Sequence, residues 1–390
     1  DDMTAQFAKL PLSGLPVFAD DATYYDEWLR HPSYDDFWAG LDVRQGYERL
    51  SLPALNMGGW YDIFIKGTLG NYTGMRTRAA TGEARRRQHL LIGPWNHEGM
   101  RAGNPIGAID FGRRSTGGEL DVDGMHLRWY DRWLKEIDNG VEDEPPVRIF
   151  VMGSGAGHWR TAADWPLPET EYQSWYFHSD GRANTLTGDG SLSLDMAASE
   201  PPDSYVYNPR NPVPSMGGGL CCNAVYSQGG AYDQRSVEAR EDVLVYSSAV
   251  LAEPLEVVGP VKVILYAASS AVDTDFTAKL VDVEPCGLAR NLTDSIIRAR
   301  YRNSMSEPEL LTPGEVVAYE IDLIGTANLF QKGHRIRVEI SSSNFPRFDR
   351  NLNTGEDQAT GTEMVSALQT VLHSSECPSR IVLPVVPLSR

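Results

Sequence analysis

The stretch LPALNMGGWYDIF, residues 52–64, begins like a buried strand and ends close to an acid. Its apolar run continues to Met57, two glycines follow, and Asp62 then lies between Tyr61 and Ile63. An ionised carboxylate in apolar surroundings is unfavourable unless another group pairs with it. The sequence therefore raises the question of which residue pairs with Asp62.

Strand and helix patterns alternate on both sides of this stretch. The order is a strand to Met57, a helix with Ile65, Leu69 and Tyr72 on one face, a strand over 89–92, a helix with Leu127, Tyr130, Leu134 and Ile137 that stops at Gly140, and a strand over 147–153. This alternation predicts a parallel sheet covered on both faces. We assign residues 51–168 to about half of such an α/β domain.

The regions on either side of this domain have different patterns. Residues 1–50 contain short, aromatic-rich helical segments without a core of their own. Residues 169–390 contain many short runs rich in Val, Ile and Tyr between turn residues, which predict a β-sandwich of jelly-roll type. In that region the first helical pattern is the stretch GTEMVSALQTVLH, residues 361–373.

Composition excludes several classes of function. The chain has 53 acidic and 35 basic residues and a net charge of −18, which argues against a nucleic-acid partner. No apolar run is long enough for a membrane span. Its 4 cysteines form no C-x-x-C pair, so we expect no zinc site and mostly free thiols. Free thiols favour a reducing compartment such as the cytoplasm, but the sequence leaves the location unknown.

Asp62 and His97 both follow predicted strands, in the turns GGWYD and GPWNH. In a parallel sheet, working residues lie beyond the carboxyl ends of the strands. An acid that orients a histidine forms two thirds of a nucleophilic triad, so we predict that Asp62 pairs with His97. The alternatives are that Asp62 caps the helix beginning near Ile63 and that His97 is an ordinary loop histidine.

A serine nucleophile is missing from this arrangement. No G-x-S-x-G motif occurs in the chain; the stretch GSGAG, residues 153–157, is offset from that pattern and lies after His97. In α/β-hydrolases the nucleophile precedes the acid, and the acid precedes the histidine. We therefore expect the nucleophile upstream of Asp62, outside this chain.

Several motifs resemble the CocE/NonD family of serine hydrolases. They are LPALNMGGWYDIFIKGTLGNY, HLLIGPWNHEG, LRWYDRWLKEIDNG and VMGSGAGHWRTAADWP, with DEWLRHPSYDDFW resembling the end of the family's helical cap. The resemblance implies the C-terminal half of an α/β-hydrolase followed by a jelly roll, with Asp62 as the triad acid and His97 as the base. It implies no metal or organic cofactor, and it implies a partner segment that supplies the serine and the oxyanion hole.

The resemblance also bears on the substrate. The α-amino-acid ester hydrolases of the family carry further carboxylates soon after the triad acid, whereas Ile63, Phe64 and Ile65 follow Asp62 here. We therefore expect esters or amides with an uncharged or aromatic acyl group. The expected walls of the substrate pocket are four aromatic side chains: Trp60, Tyr61, Phe64 and Trp95.

Two other functions remain open at this point. One is a peptidase resembling the X-prolyl dipeptidyl aminopeptidases, and the other is a non-catalytic protein whose sandwich binds carbohydrate. Assembly into a homo-oligomer is also open.

Overall fold

A computed structural model describes residues 3–18, 22–102, 104–221 and 229–387 of the 390-residue chain. Its helices are α1 (Met3–Phe7), α2 (Thr23–Leu29), α3 (Asp36–Leu41), α4 (Ile65–Arg78), α5 (Gly82–Arg86), α6 (Gly99–Ala102), α7 (Val122–Lys135) and α8 (Arg235–Glu238). Short 3₁₀ turns cover Pro16–Phe18, Val43–Arg49, Arg113–Ser115, Val141–Asp143 and Ala299–Tyr301.

The strands divide between two sheets. The first sheet contains β1 (Ala54–Tyr61), β2 (Gln88–Asn96), β3 (Val147–Val151) and β4 (His158–Ala162). The second contains β5 (Glu171–His178), β6 (Ser191–Ser193), β7 (Asp203–Tyr207), β8 (Leu244–Ser248), β9 (Leu255–Gly259), β10 (Lys262–Ser269), β11 (Asp275–Val283), β12 (Ala289–Arg298), β13 (Val317–Asp322), β14 (Thr326–Phe330), β15 (Arg335–Ser341), β16 (Ala367–Leu372) and β17 (Arg380–Val386). The residues from β5 to β17 are called the β domain below.

The first sheet has the order β1-β2-β3-β4, with β1, β2 and β3 parallel and β4 antiparallel to β3. Helix α4 packs on one face through Ile65, Leu69 and Tyr72, which are buried. Helix α7 covers the other face, where Trp129 meets the ring of His89 at a centroid distance of 5.2 Å. Because successive side chains of a strand point to opposite faces of the sheet, neighbouring residues of β2 face α4 and α7 in turn.

The β domain is joined to the first sheet by a continuous core. One cluster of buried side chains contains Trp60 and Ile92 of the first sheet and also Val338 and Ile381 of the β domain. The main chain of Met152, next to β3, exchanges hydrogen bonds with Ala327 and Leu329 of β14 at 2.8 Å each. The predicted boundary at residue 168 falls in the connection between β4 and β5 and stays a prediction.

Several predicted elements differ from the observed ones. Residues 361–373 form no helix; instead β16 pairs with β7 and β10, because the alternate residues Ala367, Gln369 and Val371 all point into the core. Helix α7 ends at Lys135, before the predicted stop at Gly140, because Glu136 adopts a left-handed conformation with φ of 57°.

Two further findings concern cysteines and membranes. Cys286 and Cys377 are free thiols, but Cys221 takes part in a disulfide, so the expectation of mostly free thiols fails at that residue. In the described ranges, no helix combines the length and the apolar character that crossing a bilayer requires.

Candidate active site

The ends of β1 and β2 set the position of the two predicted catalytic residues. Both strands run further than the sequence indicates, β1 to Tyr61 and β2 to Asn96. Gly59 is paired with Gly93, but Tyr61 is paired with Asn96, so β2 advances by three residues where β1 advances by two. Without this bulge at Pro94 and Trp95, Asn96 would lie opposite Asp62. With the bulge, His97 lies there instead.

The glycines allow this close approach. A Cβ atom on Gly59 would lie 2.1 Å from the carbonyl oxygen of Trp95, and one on Gly93 would lie 2.3 Å from the ring of Trp95. Both distances are far below van der Waals contact, so only glycine fits at either position. In the sequence analysis these glycines came just after the two predicted strands. In the structure they belong to β1 and β2 themselves.

Asp62 and His97 form the predicted pair. Nδ1 of His97 lies 3.1 Å from Oδ1 of Asp62, within hydrogen-bonding distance. The side chain of Asp62 is 14% exposed and that of His97 is 40% exposed. Within the described residues, the ring nitrogen Nε2 of His97 has no hydrogen-bond partner, so it is free to exchange a proton.

Asp62 also begins the turn that leads into α4. Its Oδ1 accepts the backbone N–H of Phe64 at 2.9 Å, and its carbonyl accepts the N–H of Ile65 at 3.2 Å. The capping alternative is not met, because in the described residues Phe64 is the N-cap of α4 and no side-chain hydrogen bond caps the helix. The carboxylate that closes the turn is the one that contacts His97. The turn fixes the carboxylate, which in turn holds the imidazole in one orientation.

Phe64 is the one predicted pocket residue at the surface beside the pair. Its ring meets the ring of His97 edge to face, with centroids 5.1 Å apart and an interplanar angle of 73°. The residue is 60% exposed, so an aromatic surface adjoins the histidine.

The other three predicted wall residues, Trp60, Tyr61 and Trp95, lie in the core. Each is at most 4% exposed. Their polar hydrogens are donated to backbone carbonyls at 2.8, 2.9 and 2.7 Å, respectively. Burial raises the pKa of Tyr61, which keeps its hydroxyl a donor. Their placement therefore corrects the expectation that they line a substrate pocket, since they support the strands beneath the pair.

The β domain also approaches the pair, which the sequence did not indicate. A Cβ atom on Gly219 would lie 3.2 Å from the carbonyl oxygen of Asp62. The side-chain amide of Asn96 donates to the carbonyl of Gly229 at 3.1 Å. The glycine run 217–219 is the sequence feature that could have indicated this approach. Gly217 and Gly218 adopt positive φ angles of 71° and 88°, which favour glycine.

Within the described residues, no group of three or more His, Cys, Asp or Glu side chains is arranged to hold a metal ion. What the geometry offers is an acid-oriented histidine at the carboxyl edge of a parallel sheet, which can act as a general base.

Comparisons with known proteins place this site in context. Residues 6–99 match the family model described as X-Pro dipeptidyl-peptidase (S15 family). Residues 139–382 match the model described as X-Pro dipeptidyl-peptidase C-terminal non-catalytic domain. The cocaine esterase of Rhodococcus sp. (strain MB1 Bresler) is 41% identical over 389 residues, which make up 99% of this chain and 66% of that protein.

Two solved structures share the fold. An α-amino acid ester hydrolase labelled with selenomethionine is 27% identical, with a TM-score of 0.83 over 97% of this chain and 64% of its own. An aminopeptidase from the marine sediment archaeon Thaumarchaeota archaeon is 28% identical, with a TM-score of 0.81 over 94% of this chain and 60% of its own. The predicted fold class, an α/β-hydrolase-like domain followed by a large β domain, is confirmed. The chain spans slightly less than two thirds of the length of each of these relatives.

Proposed function

Because the chain belongs to the family of serine hydrolases that includes cocaine esterase and the S15 X-Pro dipeptidyl-peptidases, we propose that it supplies two members of a Ser-His-Asp triad. Asp62 is the acid and His97 is the base of an esterase or acylase. The serine lies on a segment outside residues 1–390. The observation that carries the proposal is the 3.1 Å contact between Asp62 and His97 at the ends of neighbouring parallel strands.

Each residue has a defined part in the proposed reaction. The N–H group at Nδ1 of His97 donates a hydrogen bond to the carboxylate of Asp62, which leaves Nε2 as the basic nitrogen. Nε2 takes the proton of the serine hydroxyl as the oxygen attacks an ester or amide carbonyl. It then returns that proton to the departing alcohol or amine, and a water molecule repeats the cycle to release the acid.

The substrate follows from the surroundings of the pair. Phe64 offers an exposed ring beside His97, and Ile63, which precedes it in the sequence, is exposed and apolar. An uncharged or aromatic acyl group gains from contact with such a surface, whereas an ammonium group finds no carboxylate other than the triad acid among these neighbours. We therefore propose esters or amides with an uncharged or aromatic acyl group.

The peptidase alternative is favoured by the matches of residues 6–99 and 139–382 to the two X-Pro dipeptidyl-peptidase family models. A dipeptidyl aminopeptidase must bind the free amino terminus of its substrate. An aromatic ester and an X-Pro anilide, assayed side by side on the complete enzyme, separate the two functions.

The carbohydrate-binding alternative has less support. Sugar binding by a sandwich commonly uses exposed aromatic side chains. In the described part of the β domain, Tyr172 is the only aromatic residue among the large apolar side chains that are exposed.

A fluorophosphonate probe tests the proposal, because it labels only an activated serine. We expect no labelling of residues 1–390 alone, and labelling of a serine outside this chain when the complete enzyme is present. Quench-flow labelling followed by peptide mass spectrometry locates the serine. Stoichiometric labelling of a serine within residues 1–390, together with turnover, would refute the proposal.

A further inference from the structure

A buried ion pair of the β domain lies close to the Asp62–His97 pair. Arg347, on the segment after β15, contacts the carboxylate of Asp294 on β12 through Nη1. The side chains are 11% and 5% exposed, and Asn344 donates a further hydrogen bond to Oδ2 of Asp294 at 2.6 Å. Burying two charges costs much of what their attraction returns, so such a pair adds little to stability compared with apolar side chains. Its contacts indicate another role.

The glycine run 217–219 lies directly on this ion pair. A Cβ atom on Gly218 would lie 2.7 Å from Oδ1 of Asp294 and 3.0 Å from Nη1 of Arg347. A Cβ atom on Gly219 would lie 3.1 Å from Nη2 of Arg347. Because each of these distances is shorter than ordinary van der Waals contact, the main chain of the run rests on the guanidinium without an intervening side chain.

The other side of the run touches the turn that holds Asp62. The Cβ position of Gly219 is 3.2 Å from the carbonyl oxygen of Asp62. That carbonyl accepts the N–H of Ile65 at 3.2 Å, and the carboxylate of the same residue accepts the N–H of Phe64 at 2.9 Å. One glycine therefore separates the guanidinium of Arg347 from the turn that orients the carboxylate.

Hydrogen bonds keep the glycine run in place. The backbone N–H of Arg347 donates to Oγ of Ser215 at 3.1 Å, so the segment that carries the guanidinium also holds the residues just before the run. Gly218 and Gly230 exchange two main-chain hydrogen bonds, at 2.8 and 3.0 Å. With the run held in this way, the guanidinium sets how closely Gly219 approaches the turn.

We propose that Arg347 is a positioning residue for the Asp62–His97 pair. Together with Asp294, it holds Gly219 against the turn of Asp62 and so keeps the carboxylate 3.1 Å from Nδ1 of His97. This inference rests on the proposed function, in which the pair supplies two members of a triad. It goes beyond that function because it assigns a part in catalysis to a side chain of the β domain, which acts through a glycine and does not touch the reacting atoms.

The alternative is an ordinary contact at the boundary between the two parts of the molecule. Such a contact would contribute to stability, and its loss would leave the Asp62–His97 pair unchanged in the folded protein. Loss of a positioning residue has the opposite effect, because it loosens the turn and the histidine while the fold keeps its stability. Stability and the state of His97 must therefore be measured separately.

The test variant combines Arg347→Met with Asp294→Asn, which removes both charges and leaves an amide oxygen to accept the hydrogen bond from Asn344. The matched control combines Arg300→Met with Asp273→Asn. That pair is also buried in the β domain, with side chains 14% and 0% exposed, and its aspartate likewise accepts an asparagine amide, at 2.7 Å. Because each variant removes both partners of its ion pair, we expect both variants to fold.

Two measurements on residues 1–390 report on the turn and on the histidine. Mass spectrometry after amide hydrogen exchange follows residues 63–66, which include the N–H groups bonded to Asp62. NMR of protein labelled with ¹⁵N-histidine shows which ring nitrogen of His97 carries the proton, and it is recorded at about pH 9, above the ordinary titration range of imidazole. The His97→Gln variant assigns the signals, and urea unfolding measures the stability of each variant.

In the unmodified chain we expect the proton of His97 on Nδ1, where Asp62 accepts its hydrogen bond. In the test variant, exchange of residues 63–66 should be about tenfold faster, and the population with the proton on Nδ1 should fall by about half or more. The control variant should change the exchange rate by less than about twofold and leave the tautomer of His97 unchanged. Both variants should unfold at similar urea concentrations.

Gly219→Ala approaches the same contact from the opposite direction. The added Cβ atom would lie against both the guanidinium of Arg347 and the carbonyl of Asp62, so it should push the turn away and speed up exchange of residues 63–66. In the test variant the guanidinium is absent, so the alanine can shift away from the turn and its additional effect should be smaller. Gly118→Ala is the control, because no atom lies within 4 Å of a Cβ at that position.

The outcomes are distinct. Faster exchange of residues 63–66 together with a smaller population of the Nδ1–H tautomer, in the test variant but not in the control, supports the inference. Unchanged exchange and tautomer in a folded test variant overturn it, and so does an equal effect of the control variant. A change in exchange without a change in tautomer overturns it as well, because the contact is then structural only. If the test variant does not fold, Gly219→Ala decides by the same criteria.

Failure of the proposed function gives a different result. A tautomer of His97 that depends on Arg347, in a complete enzyme that the fluorophosphonate probe does not label, contradicts the proposed function alone. A labelled enzyme whose His97 is indifferent to the Arg347 substitution contradicts this inference alone. A proton on Nε2 of His97 in the unmodified chain contradicts both.

Discussion

Asp62 shows how one carboxylate can serve both the fold and the chemistry. Its Oδ1 accepts the N–H of Phe64 at the entry to α4 and also contacts Nδ1 of His97. The contact with Phe64 already fixes the side chain of Asp62. Its contact with His97 therefore costs no further side-chain freedom of Asp62 when the reaction takes place. Closing the turn before α4 and serving as the proposed triad acid are therefore compatible.

At this scale we predict that Asp62→Asn in the complete enzyme preserves the fold and cripples turnover. An amide can offer Nδ1 the wrong hydrogen-bonding partner, which favours the inactive tautomer of His97. The corresponding change in a well-known serine protease lowers kcat by about 10⁴, a magnitude taken from that enzyme. Steady-state kinetics on an aromatic ester, with circular dichroism as the folding control, measure the effect.

His97→Ala is expected to be comparably damaging. The double variant should be little worse than the worse single variant, because residues that act as one catalytic unit are strongly non-additive. Retention of more than about a tenth of the wild-type kcat by Asp62→Asn would contradict the triad assignment and leave Asp62 only its contact in the turn before α4.

At the scale of the elements, the bulge in β2 decides the site. A regular ladder would carry the pairing of Gly59 with Gly93 onward and set Asp62 opposite Asn96. The extra residue at Pro94 and Trp95 advances β2 by one position, so His97 is brought into line. Proline has no N–H to donate, which makes this point of the strand suited to an interruption.

The strands of the β domain contain a buried charged group whose titration can be measured. Burial raises the pKa of Glu339 on β15 to about 7, although Lys279 on β11, with its Nζ 3.1 Å away, acts in the opposite direction. Glu238 and Arg337, themselves paired at 2.7 Å, also face this group, and the negative charge of Glu238 raises the pKa of Glu339 further.

We predict a pH-dependent difference between the wild type and Glu339→Gln. The folded protein keeps a proton on Glu339 up to about pH 7, whereas the unfolded chain releases it near its ordinary pKa of 4.5. The free energy of unfolding of the wild type therefore falls as pH rises across this window, by about 3 kcal/mol at most from this group. The glutamine variant lacks this contribution.

Urea unfolding between pH 4.5 and 8 measures the prediction. The stability of Glu339→Gln relative to the wild type should rise with pH, whatever the absolute effect of losing the contact with Lys279. Glu320→Gln, at a carboxylate with a 60% exposed side chain, is the matched control. A difference that stays constant with pH would show that Glu339 is ionised throughout.

At the scale of the whole molecule, the two sheets share one core. The hydroxyl of Tyr61 at the end of β1 donates to the carbonyl of Asn291 on β12 at 2.9 Å. Arg160 of β4 pairs with the buried Glu256 of β9 at 2.5 Å. These contacts join the α/β part to the β domain. Each part therefore covers some of the apolar surface of the other.

We therefore predict that both parts unfold in a single transition and that Tyr61→Phe shifts it by about 1 kcal/mol, as expected for a lost buried hydrogen bond. Eight of the 9 tryptophans precede the β domain and Trp175 alone lies within it, so fluorescence reports mainly on the first part. The β-sheet component of the amide I infrared band reports mainly on the β domain, which holds most of the described strands. Denaturation midpoints that differ between the two signals, or a shift seen in only one of them, would show that the parts unfold separately.

The sequence determined the local features of this protein. Hydrophobic periodicity identified β1, β2 and α4, because alternation and helical spacing are properties of neighbouring residues. The order of acid and histidine along the chain, each after a strand, was sufficient to predict that Asp62 and His97 lie together, since the carboxyl ends of parallel strands share one edge.

Contacts between residues that are distant in sequence account for the other features. Trp60 and Trp95 lie in the core although they flank the pair in sequence, because the neighbours that bury them come from β3 and the loop after α6. Residues 367–372 form a strand because β7 and β10 supply hydrogen-bonding partners on both sides. Leu127, Tyr130 and Leu134 of α7 are exposed because the opposite side of the helix, which carries Val122 and Trp129, is the buried one. In each case the deciding contact joins residues that are distant in sequence, and local patterns carry no information about such partners.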